Sequence, residues 1–216
     1  LKESTFEWKA LCGAAIFLGI ITKVKIRTQP LRPLLSWTAN LSFSQLSECI
    51  KQAESWPSSL SFQWICGENI FAHAIGEVKN KDEEGLLIKF LERLPSLRNP
   101  VINRFSDMNS LPNLSLENNK NSHLNHSEVI GLLGPAWQDN NSKIIKIIKK
   151  LIDKRPNKSC YIASQQLGGL THSKNIDTSF IHRDASWKPW INGAWEARNQ
   201  LMRTKVLKWM EESWDE

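Results

Sequence analysis

Long apolar runs are missing. No stretch approaches the roughly eighteen consecutive apolar residues that a membrane-crossing helix needs, so no span is expected. A basic leader is missing too, because Leu1-Lys2-Glu3 is not the charged start of a signal peptide. A soluble protein is expected, with a cytoplasmic setting favoured over a secreted one. The four cysteines, Cys12, Cys49, Cys66 and Cys160, are far apart and form no CxxC pair. That spacing argues against a disulfide framework and a zinc site, and each reads as a small buried apolar residue. His123 and His126 stand three apart, but no further ligands accompany them, so no metal site is expected. The sequons at Asn40, Asn113, Asn125, Asn140 and Asn157 matter only in a secreted protein.

What is present is an ordinary globular composition in 216 residues with a net charge of +6. The chain is long enough for one large domain, or one domain with a piece of another. The charge permits an anionic partner without requiring one, and no nucleic acid partner is expected. The last residues, Lys208 to Glu216, run on as a helix-like pattern without a cap. The expectation is an internal or C-terminal piece of a longer protein.

Periodicity divides the middle of the chain into elements. Leu34 to Leu41 alternates and reads as a strand. Ser42 with Gln45 forms a capping box for a helix whose buried stripe is Leu46, Cys49, Ile50 and Ala53. Leu60–Cys66 and Ile70–Val78 read as a hairpin across Gly67-Glu68-Asn69. Lys81 to Glu84 opens a second helix with acids at its positive end, and Leu86, Leu87, Phe90, Leu91 and Leu94 supply its stripe. The Asn-rich stretch 103–141 reads as polar loop. Asn141 or Ser142 caps a basic amphipathic helix over 143–155, whose lysine face reads as solvated rather than as a membrane or acidic-partner surface. Ser159 to Gly169 reads as a strand closed by two glycines. The order strand, helix, strand, strand, helix points to an α+β fold, an antiparallel sheet with helices packed on one face.

The most informative stretch is Ser179 to Trp195, which joins a polar knot, His182-Arg183-Asp184, to an alternating aromatic strand. Trp187, Pro189, Ile191 and Gly193 share one face; Lys188, Trp190, Asn192 and Ala194 share the other. The second face carries an amine, an indole and an amide, the mix expected on the wall of a polar ligand pocket. An ordinary half-buried strand would show the same alternation. Pro189 lacks a ladder donor, so an edge strand or a bulge is expected there. The final segment, Glu196 to Glu216, is helical in pattern, with Leu201, Val206, Trp209, Met210 and Ser213 near one face. At the other end, small residues at Gly13 to Ala15 read as a turn leading into an alternating strand over Ile20–Ile26.

Two of these stretches carry a resemblance. Ala10-Leu11-Cys12-Gly13, then Phe17, then Gly19-Ile20-Ile21-Thr22, ending at Arg27 and Pro30, resembles the closing segment of the FAD-binding domain in vanillyl-alcohol-oxidase-type flavoenzymes, the berberine-bridge-enzyme-like group especially. Ala15 stands where a glycine is usual, Ile21 replaces a valine, and Cys12 replaces a basic residue. Phe180, His182, Arg183, Asp184, Ala185 and Trp195 are similarly in register with the same group's substrate-domain signature, with Ile181 in place of a proline. The resemblance implies that 1–30 closes an FAD-binding domain of the PCMH type and that 31–216 is a substrate domain, incomplete at its C-terminus. It places Gly13, Gly19, Ile20, Ile21 and Thr22 against FAD, and Gln165, Lys188, Trp190 and Asn192 against a small-molecule substrate. Trp190 occupies the position where the group often has Gln or Glu. His182 and Arg183 read as structural, bonding neighbouring loops. The implied parent is an FAD-dependent oxidoreductase that moves a hydride from an alcohol, sugar or amine carbon to flavin. Its catalytic residues are unassigned here, and this piece alone is expected to be inactive. The competing expectation is a non-catalytic paralogue that keeps the fold as a binding module.

Overall fold

A computed structural model describes residues 5–28, 32–106, 125–174 and 176–216, apart from the side chains of Ala14, Ala15, Ile16, Asn125 and Leu170. Pro30, the sequon at Asn113, His123 and the expected boundary at 30–31 lie outside that description. The elements are α1 (Phe6–Leu18), β1 (Leu34–Leu41), α2 (Phe43–Ala53), β2 (Leu60–Cys66), β3 (Ile70–Glu77), α3 (Lys81–Glu92), β4 (Val101–Phe105), β5 (Asn125–Gly131), α4 (Asn141–Asp153), β6 (Tyr161–Gln166), β7 (Trp187–Glu196) and α5 (Gln200–Trp214). The strands form one sheet in the order β4-β1-β3-β2-β6-β7-β5, every neighbouring pair antiparallel. This is the expected α+β class, with α2 to α5 on one face.

Local chemistry sets the first elements. The Ser42 hydroxyl accepts from the Gln45 amide N–H, and the Gln45 side chain accepts from the Ser42 N–H at 2.8 Å, so the capping box forms as read. Two strands that lie in the loop-like stretch 103–141 of the sequence reading, β4 and β5, close the two edges of the sheet. Their residues, such as Asn103, Arg104, His126 and Glu128, are exposed on at least one side, which removes the apolar alternation that marks a strand in sequence.

The core lies between the sheet and the helices. Trp37, Phe62, Trp64 and Trp187 are fully buried there with Leu46, Ile50, Leu87, Leu91, Val206 and Met210. Cys49, Cys66 and Cys160 are buried as expected, and burial raises the Cys49 and Cys66 thiols to about 12, leaving them protonated and inert. The α5 stripe falls on Val206, Trp209, Met210 and Ser213, but Leu201 is 69% exposed; in α3, Leu86 points outward while Leu87 and Leu91 are buried. Helix α4 begins two residues earlier than the expected 143. Asn141 is no cap but is buried, with its Nδ2 donating to the Ser47 carbonyl at 2.6 Å.

The N-terminal segment differs most from expectation. Residues 6–18 form a helix capped by Thr5, not a turn, and 19–28 form no regular element and pair with no strand among the described residues. Gly13 explains the small-residue cluster. A Cβ there would lie 2.3 Å from the Phe180 nitrogen, because α1 packs against loop 177–180. Ser179 donates its N–H to the Lys9 carbonyl and its Oγ to the Ala10 carbonyl, and Lys9 pairs with Asp177. The close backbone approach is thus made to the chain's own loop. No described strand lies beside 20–27 to complete its ladder, which leaves Ile20 95% exposed.

Candidate functional site

Cross-strand register builds the site. With Trp37, Phe62, Trp64 and Trp187 pointed at the helices, the opposite phase of each strand points away from them. On that open face one row runs Thr38, His73, Gln63, Gln165 and Lys188, each paired with the next, across β1, β3, β2, β6 and β7. The next row runs Asn40, Phe71, Ile65, Ala163, Trp190 and Gly131. A third contains Tyr161, Asn192 and Val129. Directly paired side chains have Cβ atoms about 5 Å apart, so one small molecule spans several of them.

The four sequence-derived substrate candidates therefore share one surface. Gln165 and Lys188 are opposite one another and exposed, and Trp190 is half-buried one row away. A Cβ on Gly131 would lie 3.1 Å from the Trp190 Cβ; the glycine leaves that indole room. Asn192 lies on the same face but is only 7% exposed, with its amide donating to the Ser159 carbonyl at 3.4 Å. Strand β7 is not an edge strand, as Pro189 had suggested. In a strand, a residue's N–H and C=O point to the same side. The Pro189 carbonyl accepts from Leu132 N–H at 3.1 Å, so the missing donor faces the end of β5 and takes nothing from the β6 ladder.

His73 and Gln63 were missed in the sequence reading. Their signal was present, since both occupy the polar phase of strands whose other phase is the core. Burial pushes the His73 imidazole down to about 4, so it is neutral near pH 7 and offers one donor and one acceptor. The unfolded chain binds that proton near pH 6.5, the folded chain only near 4. Stability from this group is thus complete above about pH 6.5 and falls as pH drops towards 4, by up to about 3 kcal/mol. In His73→Gln, the fall in denaturant midpoint across that window is expected to shrink; an unchanged pH profile would show that His73 does not contribute.

Beside the row, a cleft of about 420 Å³ opens between the start of β2 and the end of β6, and Gln165 stands on its rim with Trp56, Ser61, His172 and Trp187. Glu54 anchors its floor. Its carboxylate accepts from Trp137 N–H at 2.5 Å, Gln138 N–H at 3.1 Å and the Trp187 indole N–H at 2.7 Å. Of the polar knot, Arg183 bonds neighbouring loops, whereas His182 is exposed and its ring meets Phe180 edge-on at 5.8 Å. Arg183 donates to Thr178 Oγ1 at 2.5 Å and to the Thr171 carbonyl at 3.4 Å, and its guanidinium lies 4.9 Å over the Phe180 ring.

The residues matched to a flavin contact divide. Gly13 packs its Cα side against Ser179 and Phe180, so its close approach is to the chain itself. Gly19 has nothing within 4 Å of its would-be Cβ, and Ile20, Ile21 and Thr22 are exposed outside any helix or strand. That segment fits a planar apolar ring or a neighbouring strand, each of which an open backbone with apolar side chains accommodates.

No family model and no curated protein matches this sequence. Solved structures do match it in fold. Berberine bridge enzyme from Eschscholzia californica superposes with a TM-score of 0.57 at 14% identity, over 85% of this chain and 40% of that one. The chain shares the fold of berberine bridge enzyme. Phl p 4, a grass pollen allergen with glucose dehydrogenase activity, superposes at 0.61 and 14% identity over 85% and 40% of the two chains. GilR, an oxidoreductase that catalyses the terminal step of gilvocarcin biosynthesis, gives 0.59 and 12% over 86% and 43%. The chain thus spans about two fifths of the length of these structures.

Proposed function

We propose that this chain forms the substrate-side wall of an FAD-dependent oxidoreductase, with 1–30 closing a flavin-binding domain and 31–216 forming the substrate domain. The observation that carries the reading is the open sheet face, where Gln165, Lys188, Trp190, Gln63 and His73 meet in a fold shared with oxidoreductases. Gly19, Ile20, Ile21 and Thr22 would lie against the flavin, which when bound supplies the hydride acceptor for an alcohol, sugar or amine carbon. The amides of Gln63 and Gln165 and the neutral His73 bind substrate hydroxyls, and Trp190 shields one side of the bound molecule from water. Asn192 supports the wall through Ser159.

The test is spectroscopic. Full-length protein purified with its native cofactor is expected to show flavin absorbance that bleaches on anaerobic addition of substrate. The 216-residue chain alone is expected to bind FAD weakly or not at all. A colourless full-length protein would favour the second reading, a binding module, to which the tryptophan at position 190 in place of a polar residue also points.

A further inference from the structure

The ionisable side chains on the open face are few. Across the described residues of all seven strands, the ionised groups in this phase are Glu77, Lys188 and Glu196. Glu77 is held by Arg32 at 3.5 Å. Glu196 lies eight residues farther along β7, roughly 27 Å from Lys188 at strand rise. His73, in the same row as Lys188, is neutral. Two other nearby cations are already paired, Arg104 with Glu84 on the helix side and Lys174 with Asp184. Lys188 has no carboxylate within ion-pair distance among the described residues, and its direct cross-strand neighbour, Gln165, is uncharged. A row of neutral hydrogen-bonding groups thus ends in one cation without a protein counter-ion.

Resting on the substrate-wall reading above, we infer that Lys188 makes this face selective for a substrate that carries a carboxylate. The Lys188 ammonium and the Gln165 amide stand directly opposite each other and supply two donors for the two carboxylate oxygens. A phosphate would call for more: the row presents one cation and no helix N-terminus or nest of backbone N–H groups to meet a third oxygen. Trp190 lies two residues along on the same face, so the body of the ligand adjoining the carboxylate rests on an indole. The substrate class is therefore a hydroxyl-bearing organic acid with an apolar or planar portion, its acid at the β7 end of the row and its hydroxyl directed towards Gln63 and His73.

A matched pair of probes tests this on the full-length protein: 4-hydroxyphenylacetate and its amide, which share the hydroxyaryl body and differ in the anionic carboxylate. Equilibrium binding at low salt is expected to favour the acid by about fivefold, the scale of a partly exposed ion pair. The preference is expected to vanish in Lys188→Gln, persist in Lys188→Arg and shrink as salt rises. Lys188 is exposed, so neither variant disturbs the core. Should both probes bind equally, or the preference survive Lys188→Gln, while Trp190→Ala weakens both, the Lys188 inference fails and the wall reading stands. Should Trp190→Ala leave binding unchanged, or neither probe bind, the wall reading fails as well.

Discussion

Trp187→Ala is expected to destabilise the chain by about 3–5 kcal/mol, the range for deleting a large aromatic from a closed core. Trp187 is 0% exposed, its ring centroid is 5.6 Å from that of Trp137, and Trp137 in turn meets Trp64 at 6.1 Å. The three indoles join β2, β7 and the segment before α4 into one block. The substitution also removes one of three donors to Glu54. Trp187→Phe separates the two effects. It keeps most of the ring and removes the indole N–H, so it is expected to cost about 1–2 kcal/mol, less than alanine because the ring still fills the core. Urea denaturation of the three proteins checks both values. An alanine variant within 1 kcal/mol of the parent would show that the aromatic block does not hold β7.

The second large effect lies on the same strand. Gly193 sits where α5 crosses β7, and a Cβ there would lie 2.3 Å from Met210 Sδ and 2.5 Å from Val206 Cγ1. Met210 is flexible and can swing aside, but Val206 is β-branched, fully buried and held to one rotamer in a helix, so the helix itself must move. Gly193→Val is expected to cost about 3 kcal/mol and Gly193→Ala less, within the usual range for overpacking. Gly168→Ala is the control, because nothing lies within 4 Å of its would-be Cβ. Equal midpoints for Gly193→Val and Gly168→Ala would show that α5 does not rest on β7 as described.

Both positions show how the sequence could and could not be read. Gly193 was assigned to the apolar face of its strand by alternation alone, and the structure has it on that face. Alternation could not say that a helix lies over it, since α5 meets β7 only after the chain has folded. The same division holds for the site. Lys188 and Trp190 were legible because β7 alternates, and Gln165 because neither face of β6 is cleanly apolar, which marks a strand that looks into a cleft. Gln63 and His73 alternate just as clearly, but nothing in sequence told that β2, with β3 on its other side, stands beside β6 in the sheet.

Local chemistry, then, was written in the chain. The capping box at Ser42 and Gln45, the hairpin at Gly67 to Asn69, the inward phase of β7 and the burial of Cys49, Cys66 and Cys160 follow from interactions within a few residues or from hydrophobic period. The tertiary structure decided the rest. It made edge strands of β4 and β5, whose polar residues carry no apolar rhythm because an edge is wet. It made a helix of Phe6–Leu18, with Gly13 pressed on Phe180, and left 19–28 outside any described strand. It also assembled the row from Thr38 to Lys188, drawing on five strands spread over 151 positions of sequence (38 to 188, counted inclusively). Side-chain phase is fixed by the strand itself, whereas strand order depends on which hydrophobic faces find one another, and only the folded sheet makes that choice.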